Sequence, residues 1–69
     1  MNIQLIMAER RRQQYKLGTD AADAMYAAGV VPLEIMQRAF EARSMSLSYS
    51  EGMRDAAHRM EAKELGGVK

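Results

Sequence analysis

The 69-residue chain contains no cysteine, no tryptophan, one histidine, one proline and one phenylalanine. Without cysteine there are no disulfide staples, no thiolate nucleophile and no cysteine-zinc site, so stability must come from hydrophobic packing or oligomerisation. A single histidine beside no cysteine argues against a transition-metal centre. The longest uncharged stretch, Ala24 to Leu33, is interrupted by Gly29 and Pro32 and falls far short of a membrane span. No glycine-rich phosphate loop is present: Gly29 and Gly52 stand alone, and Gly66-Gly67 opens no helix. The apolar Asn2–Ala8 run has no basic segment before it and is followed at once by Glu9-Arg10-Arg11-Arg12, the reverse of a secretory signal. The expectation is a soluble, cytoplasmic protein with no membrane segment, cofactor or small-molecule substrate.

Residues 1–69 allow one domain, whose core must be thin because chains of this size bury only about 60% of their unfolded surface. At 48% hydrophobic and 28% charged, the chain has enough apolar material to fold. Its net charge of +1 favours neither nucleic acid nor membrane as a whole. Charge is segregated, however. Arg10, Arg11, Arg12 and Lys16 against Glu9 make the first segment basic, while Asp20, Asp23, Glu34 and Glu41 outweigh Arg38 and Arg43 in the next. Attraction between packed neighbours explains this pattern, and so does a basic docking face.

Punctuation residues divide the chain into four predicted helices, at about 3–17, 20–28, 32–43 and 49–65, giving an all-α fold: a small bundle of four short helices. Gly18 suits the left-handed position after a first helix, and Thr19 or Asp20 suits the cap of a second. The first helix is apolar at its ends (Ile3, Leu5, Ile6, Met7; Tyr15, Leu17) and polar between. The second is rich in alanine and stops at Gly29. Val31 is held extended by Pro32, which fits a first helical turn. In the third helix Leu33, Met36, Ala39 and Phe40 share a stripe, and Phe40 is expected at the centre of the core with Leu33, Met36, Met53 and Met60. Ser44 to Ser50 alternates polar and apolar residues, a strand signal. The competing Ser48-x-x-Glu51 capping box, which starts a helix at Tyr49, is preferred because a lone strand has no partner. Residues 66–69 are expected to fray.

Catalytic constellations are nearly absent. His58 lies in a polar neighbourhood with no cysteine to activate, and the serines show no nucleophile elbow, so its expected role is that of a surface residue. Asp20 and Asp23 are explained by the start of a helix. The chain therefore reads as a non-enzyme that acts by binding.

Two binding modes compete. Six internal methionines, and the apolar residues Ile3, Leu5, Ile6, Met7, Met45, Leu47 and Tyr49, exceed what four short helices can cover. The expected protein-binding surface is Ile3, Ile6 and Met7, with Arg10, Arg11 and Arg12 as a basic rim for an acidic partner, together with Met45, Leu47 and Tyr49. The expected form is a homo-oligomer. The alternative is a helix-turn-helix DNA-binding protein, a transcriptional regulator or DNA-packaging component. There Arg10, Arg11, Arg12 and Lys16 would meet phosphates, and Gln37 and Arg38 would read bases, against the acids Glu34 and Glu41 on the same helix.

Pro32-Leu33-Glu34-Ile35-Met36, followed by Met53-Arg54-Asp55-Ala56-Ala57, resembles small helical phage proteins of the terminase small-subunit type over about half the chain. The connection between the two motifs is longer here, and the aromatic, proline-containing end that follows the alanine pair in the family is missing. The resemblance implies a phage or mobile-element origin, a place in the host cytoplasm, and a role as an oligomeric DNA-packaging or regulatory component. A phage protein that inhibits a host complex fits the same residues.

Overall fold

In a computed structural model, which describes residues 2–66, the chain is all-helical. Three α-helices and one short 3-10 turn follow one another: α1 (Ile3–Ala27), α2 (Pro32–Glu41), the turn Ala42–Ser44, and α3 (Leu47–Glu64). Among the described residues there is no strand, so the alternation over Ser44 to Ser50 does not form one. Beyond Gly66, the tail expected to fray lies outside the described residues.

The four-helix division is corrected at Gly18. The segments at 3–17 and 20–28 are one helix of 25 residues, started by Asn2, whose Oδ1 accepts from the Gln4 and Leu5 amides at 3.0 and 3.4 Å. Thr19 does not cap a new helix, because its hydroxyl donates back to the Tyr15 carbonyl at 3.1 Å. Gly18 is buried, and its role is to let another helix come close. A Cβ there would overlap the Tyr49 carbonyl oxygen and lie 2.9 Å from Met53 N. Gly52 on α3 is the reciprocal case, with the Tyr15 backbone carbonyl carbon 2.9 Å from where its Cβ would be. Glycine costs about 1 kcal/mol relative to alanine inside a helix. Here that cost is offset by backbone-to-backbone packing of α1 on α3.

At Gly29, by contrast, the chain does stop. Gly29 has φ +98°, its amide donates to Tyr26 O at 3.0 Å, and the Val30 amide donates to Met25 O at 2.9 Å. This is a Schellman closure, which a side chain at the left-handed position would strain. Pro32 then opens α2, as its fixed φ allows. The start of α3 is also corrected, from Tyr49 to Leu47: the cap is Ser46, whose Oγ accepts from the Tyr49 amide at 3.2 Å, and Ser48 lies within the first turn.

The core is small and rich in alanine. Ala22, Ile35, Ala39, Met53, Ala56, Ala57 and Met60 are buried, and Met36 and Tyr49 pack partly against them. Ile35 is fully enclosed, whereas Leu33 and Phe40 are 63% and 66% exposed, which corrects the expectation that they lie in the core. The inward stripe of α2 is Pro32, Ile35 and Ala39, at i, i+3 and i+7. The Leu33–Met36–Phe40 stripe is one residue out of phase with it, about 100° around the helix. Ser50 fixes this rotation, since its buried hydroxyl donates to Ala39 O at 2.6 Å and joins α3 to the end of α2.

Candidate interaction surfaces

α1 and α3 run in the same direction. They cross where Gly18 meets Gly52, and further along, the Tyr26 hydroxyl donates to Glu64 Oε2 at 2.9 Å. Fifteen residues of α1 precede this crossing but only five of α3 do. At 1.5 Å rise per residue, α1 extends beyond the start of α3 by about 15 Å. This arm carries Ile3, Leu5, Ile6 and Met7, all exposed, and then Arg10, Arg11 and Arg12, also exposed. Ile3, Ile6, Met7 and Arg10 fall on one face (i, i+3, i+4, i+7), whereas Leu5 points elsewhere. Of the predicted arm residues, Ile3, Ile6, Met7 and Arg10 thus share one face, while Arg11 and Arg12 lie farther round the helix.

A second apolar surface lies on the outer side of α2 and at the start of α3. Leu33, Met36 and Phe40 line its α2 side, and Leu47 meets Phe40 at the far end. The Arg43 guanidinium sits 5.0 Å from the Phe40 ring centroid, within cation–π range. Met45, at 89% exposure, stands in the corner before α3. Tyr49 is half-buried against the core. α1 makes no contact with the Ala42–Ser44 turn, so the arm and this corner are separate surfaces. Sequence reasoning missed Leu33 and Phe40 as surface residues. The signal was the competing Pro32–Ile35–Ala39 stripe, which has the same helical spacing.

Electrostatics tie the helices together beside these surfaces. The Tyr15 hydroxyl donates to Asp55 Oδ2 at 2.7 Å. That hydrogen bond holds the Asp55 carboxyl below its ordinary pKa, with the Arg54 and Arg59 guanidinium groups adding to the effect, and the same bond raises the Tyr15 phenol. Glu64 raises the Tyr26 phenol in the same way. Lys16 pairs with Asp20 at 3.1 Å and Arg38 with Glu34 at 2.9 Å, both along one helix and exposed. Among the residues named for DNA contact, Gln37 and Arg38 therefore share the α2 surface with Glu34 and Glu41, and Arg38 is held by Glu34.

His58 is exposed on α3 and shares a shallow groove with Phe40, Leu47 and Arg54. Among the described residues, no three His, Asp or Glu side chains converge as metal ligands do, and no helix is long and apolar enough to cross a membrane. Set against protein families, curated proteins and solved structures, the chain shows no match.

Proposed function

We propose that this protein is non-catalytic and acts by stoichiometric protein–protein binding, as an inhibitor or regulator of a larger complex or as an oligomeric assembly component. One observation carries the reading: large apolar side chains are more numerous outside than inside. Among the described residues eleven are exposed, including Ile3, Ile6, Met7, Leu33, Phe40, Met45 and Leu47, while four of the seven buried core residues are alanines. Each large side chain left in water forgoes roughly 1.5–3 kcal/mol of burial, which association recovers. The basic run Arg10–Arg12 beside the arm supplies charge for steering and register. The resemblance to small phage proteins of the terminase small-subunit type supports an oligomeric component of the DNA-packaging or regulatory kind. DNA binding has less support, because the base-reading candidates lie in an acidic setting where Arg38 already has a partner.

The test compares complexes recovered from an extract of the source organism with the wild type and with Ile6→Asp and Phe40→Asp. Circular dichroism checks that both variants fold. Defined complexes that disappear with either substitution, in variants that remain helical, support binding. Identical recovery by all three proteins would remove the reading.

A further inference from the structure

The side of α1 turned away from α3 carries a heptad stripe. Ile3, Ile6, Arg10, Gln13, Leu17, Asp20, Ala24 and Ala27 follow one another at alternating spacings of three and four residues, and every one is exposed. Residues so spaced share the face that a two-stranded coiled coil uses as its seam, with Ile3, Ile6, Leu17, Ala24 and Ala27 as the apolar members and Arg10, Gln13 and Asp20 as the polar ones. It runs opposite Gly18 and Ala22, which are buried in the fold, and nothing among the described residues covers it. From this seam we infer that the protein forms an antiparallel homodimer through α1, an inference that rests on the binding reading above and names a second copy as the partner.

Charge sets the direction and the register. In a parallel pair each seam residue faces its own copy, which places Arg10 against Arg10 and Asp20 against Asp20. An antiparallel pair centred on residue 15 instead places Arg10 opposite the partner's Asp20, and by symmetry Asp20 opposite the partner's Arg10, where Asp20 shares its carboxylate between Arg10 and the exposed Lys16 of its own helix. The same register sets Ile3 against Ala27, Ile6 against Ala24, and Gln13 against Leu17. Large residues then meet small ones at both ends, and the arm lies along the partner's alanine-rich half. Residue 15 is also the midpoint of the Ile3–Ala27 helix, so the register that pairs the charges overlays the two helices along their whole length of about 37 Å. Met7 flanks the seam beside the partner's Ala21. On the other flank Lys16 meets its own copy and Glu9 meets the partner's Asp23, like-charge contacts at the exposed edge that oppose the two seam pairs and limit the affinity.

The experiment is sedimentation equilibrium of the full chain across a wide concentration range, with charge swaps. The wild type is expected to dimerise. Arg10→Asp or Asp20→Arg alone turns two attractive contacts into two repulsive ones and should weaken the dimer roughly ten- to thirtyfold. An equimolar mixture of these two variants should recover association, because each then supplies the charge the other lacks, and so should the double variant. Orientation has its own readout. The chain has no cysteine, so Ile3→Cys should not crosslink to itself under oxidation, while Ile3→Cys/Ala27→Cys should. A monomeric wild type overturns the inference, as does a dimer indifferent to both charge swaps and lost only in Phe40→Asp. Self-crosslinking of Ile3→Cys alone would also overturn it, in favour of a parallel pair. A monomer that still captures a protein from the extract defeats the dimer and leaves the binding reading standing.

Discussion

Replacing Gly52 with alanine should destabilise the protein, although propensity alone predicts the opposite. In an exposed helix interior the substitution gains about 1 kcal/mol. At Gly52 the added methyl would overlap the Tyr15 carbonyl oxygen and lie 2.9 Å from its carbonyl carbon and 3.1 Å from Tyr15 Cα. Carbon atoms settle at about 3.5–4.0 Å, so α1 and α3 must part by roughly 1 Å. The atoms in the way are backbone, which cannot swing aside as a side chain would. Overpacking of a tight contact costs about 1–3 kcal/mol, and occasionally more. Separation also loosens Ala22, Ala56 and Ala57, which are buried because the helices are close. We expect a net loss of about 2 kcal/mol, equivalent to a fall in Tm of roughly 8–16 °C for a domain of this size. Gly18→Ala should behave alike. The double variant should lose less than the sum, since both methyls open one crossing. Thermal unfolding followed by circular dichroism at 222 nm provides the measurement. An unchanged or raised Tm in either single variant would refute the close-crossing account.

Further expectations follow from the same packing. Ile35→Ala, at the most enclosed large side chain, should cost about 2–5 kcal/mol, whereas Phe40→Ala should stay within about 1 kcal/mol of wild type in denaturant titrations. Ser50→Ala removes the hydroxyl that bonds Ala39 O and should cost about 1 kcal/mol by the same titration. Because Asp55 titrates lower when folded, its contribution is complete above its ordinary carboxylate pKa and is lost as pH falls through the lowered native value. Urea midpoints taken through the acid range should therefore decline less steeply in Tyr15→Phe than in wild type; identical profiles would show that the Tyr15 bond is not the cause.

Local signals carried the helical class, the stop at Gly29 and the restart at Pro32, because backbone chemistry within a few residues decides each. Gly18 deceived for the same reason. Followed by Thr19 and Asp20 it has the local features of a helix end, and only the presence of Gly52, more than thirty residues away, gives it another use. Phe40 failed on phase. α2 has two apolar stripes of equal spacing, and the one turned inward is the one whose Ala39 carbonyl accepts the Ser50 hydroxyl of α3. The exposed arm was legible as an excess of apolar residues in a helix with a polar middle. Its geometry was not, since the overhang exists only because α3 meets α1 beyond its midpoint.

The parallel course of α1 and α3 bears on how the chain reaches this state. Tyr15 and Asp55 are 40 residues apart in sequence, and Tyr26 and Glu64 are 38 apart, so the largest helix contact joins distant parts of the chain. Long separations of this kind slow folding relative to helical proteins built from local contacts. On a ribosome adding about 5–20 residues per second, α1 would wait roughly 2–8 s for the strip of α3 that covers Gly18 and Ala22. During that interval its inner and outer faces are both bare, and the nascent helix is open to chaperones or to another copy of itself.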